Sequence, residues 1–389
     1  MNSTKEQSYL NHEQWKYTKI DYFKDYNFNY TPNTNNSINQ KCKKNEILLY
    51  NGEFLKAGEI IHDNKIIIYN IKEAISSDIK YLKKHFNKIV PNYSNIYLKN
   101  NQNYFSKGYY LYIPNGLELN EPIIINNISD IGDKKSFINY RNFIYCDKNS
   151  KVSIINNDSF NISLCTNTVN EVYIHNNSEL EIINNSYKSE VKQIYNFAAN
   201  LNNNSRLLYH ALDFGGDLVK NNYYINLNKP SAECLFNGFN ISKSNDYIDN
   251  YIEIFHNNKN TKSNLNYKII SAGSSKSILF AKAIIKQNSS GCEAYQNNHN
   301  LILSEKATIH SNPQLEIYND DVQCSHGSTT GQIDDEIIHY MRTRGINIID
   351  AKKLILEGFL NDIINKISVG TFTTNLVPNI KKYLQSEKF

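Results

Sequence analysis

The sequence predicts a mainly β protein built as a parallel β-helix, a solenoid flanked by helical regions at both ends. Three observations carry this. The chain has 389 residues, beyond the ~250–300 at which one compact core stops growing, whereas a solenoid escapes that limit by adding layers in one dimension. Its apolar residues lean to β-branched and aromatic types, with 29 Tyr and 17 Phe, which suit pleated strands. A turn–strand unit also recurs. Asn149-Ser150 precedes strand-like residues 151–154, Asn177-Ser178 precedes 179–182, Asn204-Ser205 precedes 206–209, and a looser Pro230-Ser231 precedes 232–236, at intervals of 28, 27 and 26 residues. One coil of a β-helix has this size, and its apolar face is buried only when coils stack. A β-sandwich would instead show hairpin turns every ~8–12 residues.

The chain divides into three regions. Residues 1–94 form a mixed, partly helical N-terminal region. It opens on a polar stretch that holds the single Trp, Trp15. Strand-like runs at 47–50 and 65–69 follow, with Asn51-Gly52 as the turn closing the first. Residues 77–86 read as a short helix, because Ile79, Leu82 and Phe86 recur at helical spacing. Residues 95–325 form the β-helix core, where short β runs alternate with Asn/Ser/Gly turns whose asparagines can stack in ladders. The turn–strand register fades after residue 236, with 275–280 and 307–309 as candidate later members.

Residues 326–389 form a C-terminal helical region. Asp334 caps a first helix that ends on basic Arg342 and Arg344 with Gly345 just beyond; Asn347 caps a second. An apolar stripe of Ile348, Ala351, Ile355, Phe359, Ile363 and Ile367 marks the buried face of the second helix. This hairpin is expected to cap the coils and to offer a docking surface.

Composition excludes several function classes. Net charge is +4 with both signs mixed along the chain, so the electrostatic footprint of a nucleic-acid binder is missing. The six cysteines are scattered without a C-x-x-C, so no zinc ribbon or ferredoxin-type cluster site is written here. There is no apolar signal core and no run of ~18 apolar residues, and the expected setting is the cytosol, or an organellar stroma after trimming of a targeting segment. No phosphate-cradling loop is present, so any ATP dependence must come from a partner.

A resemblance emerges near the C-terminus. The run Pro313-Gln314-Leu315-Glu316-Ile317, then Asp320-Asp321-Val322-Gln323-Cys324-Ser325-His326-Gly327, then Gly331-Gln332-Ile333-Asp334 and Tyr340-Met341-Arg342-Thr343-Arg344-Gly345-Ile346 resembles the C-terminal signature of the SufB/SufD family. Asn297–Ser304 (Asn-Asn-His-Asn-Leu-Ile-Leu-Ser), Asn167-Thr168-Val169, Tyr112-Ile113-Pro114-Asn115-Gly116, Tyr50-Asn51-Gly52-Glu53-Phe54 and Trp15-Lys16-Tyr17-Thr18 fit the same family in the same order. Cys-Ser-His-Gly and the chain length resemble the SufD branch; the SufB branch reads Cys-Glu-His-Glu there. Phe280-Ala281-Lys282-Ala283 departs from the family's Phe-x-Gly and puts the local backbone geometry there in doubt.

The resemblance implies a right-handed parallel β-helix and a scaffold without turnover of its own in an iron–sulfur cluster assembly complex. It implies pairing with SufB through the C-terminal end of the β-helix and docking of the SufC ATPase on the C-terminal helices. No cofactor is held stably, a transient cluster forms at the SufB interface, and a homodimer in isolation is compatible with the same surface. His326 matches the family's interface histidine and is the first candidate for an iron ligand shared with the partner. Cys324, two residues away on the same strand face, is the second. Tyr340, Arg342 and Arg344 are the candidates for SufC docking; four arginines occur in the whole chain and two of them are here. Each residue also has a plainer role: a turn histidine, an inert thiol, helix-dipole partners, a core aromatic.

Two other readings compete with this one. A SufB-like scaffold would carry its own sulfur-accepting cysteine, which the Ser325-His326-Gly327 context opposes. A β-helix carbohydrate-active enzyme needs paired carboxylates on the solenoid face. Asp320 and Asp321 are adjacent and so point to opposite faces of a strand, and Asp334 and Asp335 open a helix.

Overall fold

The recurring turn–strand unit becomes a ladder of parallel strands in the computed structural model, which describes residues 13–18, 23, 41–91, 96–129, 137–160, 165–188 and 191–385. The strands are β1 (Glu46–Tyr50), β2 (Glu53–Ala57), β3 (Ile67–Asn70), β4 (Tyr109–Ile113), β5 (Ile123–Ser129), β6 (Phe137–Cys146), β7 (Lys151–Phe160), β8 (Cys165–Ile174), β9 (Glu179–Tyr187) and β10 (Lys192–Leu201), followed by β11 (Arg206–Phe214), β12 (Leu218–Leu227), β13 (Glu233–Ser242), β14 (Tyr247–His256), β15 (Lys262–Ser271), β16 (Lys276–Ile285), β17 (Cys292–Ile302), β18 (Thr308–Ile317) and β19 (Val322–Gly331). From β4 onward they alternate between two sheets. One runs β19-β17-β15-β13-β11-β9-β7-β5-β1-β2, the other β18-β16-β14-β12-β10-β8-β6-β4-β3. The result is a parallel β-solenoid of about seven turns, with two strands of roughly ten residues per turn. Successive residues 151, 179, 206, 233, 262 and 293 stand directly in register.

Three devices hold that register. The space between the sheets is filled by aliphatic and tyrosine side chains such as Ile154, Ile182, Tyr209, Phe236 and Leu265, stacked rung on rung. At the turns, Asn149, Asn177 and Asn204 adopt φ values of +53°, +58° and +52°, a region asparagine tolerates better than most residues. Asn177 donates its side-chain amide to Asn149 (3.2 Å) and Asn204 donates to Asn177 (3.1 Å). Along the first strand residues, charge alternates in sign: Glu118, Lys151, Glu179, Arg206, Glu233, Lys262 and Glu293 are consecutive rungs. Arg206 bridges Glu179 (3.1 Å) and Glu233 (3.0 Å), and Lys262 pairs with Glu293 (2.6 Å).

The repeat fades to the eye because the later turns lengthen and change residues. Thr261 and Gly291 take over the turn, and a Cβ at Gly291 (φ +67°) would stand 2.4 Å from Asn260 Oδ1. The stretches 275–280 and 307–309 are therefore not members of the same series: they fall on β16 and β18, in the other sheet.

Both outer faces are covered, so strands such as β6 are buried along their whole length. α1 (Glu59–Asp63) sends Ile61 into the interior beside Ile47 and Leu111, and on the β18-to-β3 sheet lie α2 (Ile71–Ser76), α3 (Lys80–His85) and α4 (Ile96–Tyr104), whose Ile71, Ala74, Leu82 and Leu98 pack on Phe143, Tyr145, Val169 and Ala198. The buried pair Arg141–Glu171 fixes this layer, because Glu171 also accepts the backbone N–H groups of Asn87 and Ile89 at 3.0 Å each. The helix expected over 77–86 forms as α3 but starts later, because α2 ends at Ser76, Asp78 sits at φ +59° and α3 begins after Ile79.

The opposite sheet is covered by α5 (Asp335–Thr343), α6 (Ile348–Ile364) and α7 (Gly370–Gln385). Asp334 and Asn347 cap α5 and α6 as expected, each side chain accepting a backbone N–H. Three corrections apply here. A third helix, α7, follows the expected hairpin. The helices lie along the flank of the solenoid, with Leu356, Leu360, Ile363 and Ile364 against Ile183, Leu212, Phe239 and Ile270, and they do not cap its end. Ile348 stands 47 % exposed, because the buried face of α6 is turned toward Leu356 and Leu360. The expected boundaries also fall inside the solenoid: strands of the two sheets begin at Glu46 and end at Gly331, and residues 96–104 are helical.

Candidate functional site

With the helices laid along the flank, the last turn of the solenoid is left open. β18 and β19 are the terminal strands of their sheets, so one side of each presents backbone N–H and C=O groups with no neighbouring strand among the described residues. β19 pairs on its inner side with β17, placing Val322 on Cys292, Cys324 on Ala294, His326 on Gln296 and Ser328 on Asn298. The partners beneath belong to the interior-facing rows. Cys324 and His326 therefore share one face, the face that closes over the solenoid interior, as their i, i+2 spacing requires.

Their surroundings differ. Cys324 is half-buried and packs with Leu315 and Val322 against Ala283, Ile285, Cys292 and Ala294. Burial pushes its thiol pKa up, opposed by a hydrogen bond from the Ala294 backbone. His326 is exposed. Beside it a polar rim joins the two sheets: Asn298 Oδ1 accepts from Ser311 (2.7 Å) and Ser328 (3.2 Å), and the two hydroxyls stand 2.8 Å apart. A thiol and an imidazole are two of the roughly four ligands an iron or zinc site takes. Among the described residues no three His, Cys, Asp or Glu side chains gather to hold a metal ion. Further ligands would have to arrive with whatever pairs with the open edge.

The second group of sequence-predicted residues lies on α5. Tyr340 is 59 % exposed, the Arg344 guanidinium stacks over its ring at 5.3 Å, and Arg342 is exposed in the last turn. The structure thus yields two separate groups, Cys324 with His326 on the edge strand and Tyr340 with Arg342 and Arg344 on the helix. Sequence reasoning missed the apolar part of the second surface. Ile337, Ile348, Ile349 and Leu354 are all exposed large hydrophobics on α5 and α6, the helical pair that carries Tyr340. Ile349 and Leu354 lie off the stripe that marks the buried face, which was the available signal.

None of the described helices is long and apolar enough to cross a membrane.

Comparison with known proteins matches residues 128–359 to the family described as SUF system FeS cluster assembly, SufBD core domain. The iron–sulfur cluster assembly protein SufD of Escherichia coli strain K12 is 32 % identical over 154 residues, 40 % of this chain and 36 % of that protein. An iron–sulfur cluster assembly SufBD family protein of Synechocystis is 24 % identical over 277 residues, 68 % of this chain and 61 % of the relative. A SufBD family protein of Pyropia yezoensis is 24 % identical over 316 residues, 78 % and 64 % respectively. The chain thus spans between about a third and two thirds of the length of these relatives.

Proposed function

Because the chain belongs to the SufBD family of iron–sulfur cluster assembly proteins, we propose that it is the SufD-type scaffold of a SufB–SufD–SufC complex and performs no turnover itself. The observation that carries this is the open last turn, where an unpaired edge strand holds Cys324 and His326 on its interior-facing side. A second solenoid can continue both sheets across β18 and β19, as strands add to an exposed edge elsewhere. The thiol and imidazole then face a junction between two subunits. The cluster is the cargo of that junction: ligands from both chains hold it while it forms, and it is passed on to a recipient protein.

The exposed α5–α6 surface serves the second partner. Tyr340, Ile349 and Leu354 offer exposed apolar side chains, and Arg342 and Arg344 add charge for carboxylates. The mixed surface charge and the absence of a nucleotide-cradling motif in the sequence fit a subunit whose ATPase is the SufC partner. The compartment proposed is the cytosol or an organellar stroma. Co-expression with the SufB and SufC of the source organism, followed by mass measurement, tests the assignment. The expected product contains all three chains with two copies of SufC. A chain recovered only as monomer or homodimer beside both partners overturns it.

A further inference from the structure

Gln296 lies directly beneath His326, and its side chain has an unanswered acceptor. Its register partners are Leu265 on β15 below and His326 on β19 above. The side chain is 3 % exposed. Its Nε2 donates to the backbone carbonyl of Gln314 on β18 (3.3 Å), which fixes which end of the amide is oxygen. The Oε1 atom is buried and accepts no hydrogen bond among the described residues. An amide oxygen withdrawn from water without a donor is costly enough that nearly all such atoms find one. Leucine below offers no donor, whereas the imidazole above always carries at least one N–H.

We infer that Gln296 is the positioning residue for His326: its Oε1 accepts one ring N–H of the imidazole and thereby selects the tautomer. The other ring nitrogen then carries its lone pair toward the open end of the solenoid. Ligating histidines are oriented in this way by a hydrogen bond at their second nitrogen. The geometry is built across both sheets, since the β18 carbonyl holds the amide of a β17 residue that orients a β19 side chain. This inference rests on the scaffold reading for its purpose, but its geometry stands on the isolated chain.

The test uses the full chain with 15N-labelled histidine ring nitrogens, observed by NMR at about pH 8.5, where imidazole is ordinarily neutral. His326 is identified by comparison with His326→Gln. The unsubstituted chain should show one dominant tautomer at His326. Gln296→Met keeps the shape and removes the acceptor, and should change the tautomer ratio about fivefold, the bias a single hydrogen bond supplies. Gln296→Glu restores an acceptor and should restore the original ratio, which a merely structural role would not produce. An unchanged ratio in Gln296→Met, with both variants folded by circular dichroism, overturns the inference.

Cluster yield of the assembled complex separates the two ideas. If His326→Ala lowers yield while the tautomer ignores Gln296, the positioning role fails and the scaffold reading stands. If the tautomer follows Gln296 but His326→Ala leaves yield unchanged, the positioning role stands and the scaffold reading fails at this site.

Discussion

Ser368 gives both its backbone N–H (2.9 Å) and its hydroxyl to the carboxylate of Glu181, joining the turn between α6 and α7 to strand β9. The same carboxylate accepts from Ser153 (2.8 Å) and has the His210 ring 3.2 Å away. Burial pushes the Glu181 carboxyl up, but His210, both Ser368 donors and Ser153 outweigh it and hold the pKa at about 2, below the ordinary 4.5. A carboxyl depressed in the folded state stabilises it above the unfolded pKa and stops doing so as pH falls through the folded value. The α6–α7 layer is therefore expected to loosen between about pH 4.5 and 2, seen as rising hydrogen exchange in residues 348–385 while the inner strands stay protected. Glu181→Gln should destabilise this layer by about 2 kcal/mol at neutral pH and flatten its acid response.

The alternating rungs predict a salt-dependent effect. Arg206→Glu would place three carboxylates in consecutive rungs with Glu179 and Glu233. Like charges directly opposite on neighbouring strands repel, and two attractive pairs are lost. The expected cost is about 1–2 kcal/mol in urea unfolding at low salt, roughly halved at 1 M salt by screening. Equal losses at both ionic strengths would show that charge alternation contributes nothing.

The α5–α6 surface can be tested without disturbing the fold, because its residues are exposed. Tyr340→Ala with Ile349→Asp should leave thermal unfolding within about 1 kcal/mol of the parent and reduce SufC binding at least tenfold by calorimetry. Retained binding would remove this surface from the proposed dock. Deleting the helices is the poorer experiment, since it bares Leu212, Phe239 and Ile270 beneath α6.

At the open end, His326→Ala should leave the complex intact and lower cluster yield on anaerobic reconstitution by about tenfold or more. A yield equal to that of the parent would end the case for His326 as a ligand.

The solenoid was legible in the sequence because its coils share a turn. Asn149, Asn177 and Asn204 must each adopt the left-handed conformation, so the residue type repeats with the coil. Ser231 and Gly291 meet the same backbone demand with different side chains on either side of Asn260, and the pattern fades there although the stacking does not. The capped starts of α5 and α6 were legible because a cap is a local contract between neighbours. Where those helices dock was not, since their attachment runs through Glu181–Ser368 and Lys268–Asp362, residues nearly 190 and 100 positions apart. Cys324 and His326 were identified by their motif and their shared face by period-two alternation. Gln296 was invisible, because only strand register places it under His326.

The N-terminal segment carries a consequence for how the chain is made. Residues 13–18 lie across late turns: Tyr224 donates to Gln14 (3.0 Å), Thr18 to Asp249, Tyr247 to the carbonyl of Tyr17, and the Tyr17 ring stacks on His310 at 4.8 Å. On the ribosome, about 290 residues must follow Tyr17 before His310 emerges. At ~5–20 residues per second this leaves the earliest-made segment waiting roughly 15–60 s for its last contact. Early coils can stack as they appear, and Trp15 can settle on Tyr97 among them, whereas the strap is fastened along its full length only once the coil carrying His310 has been made.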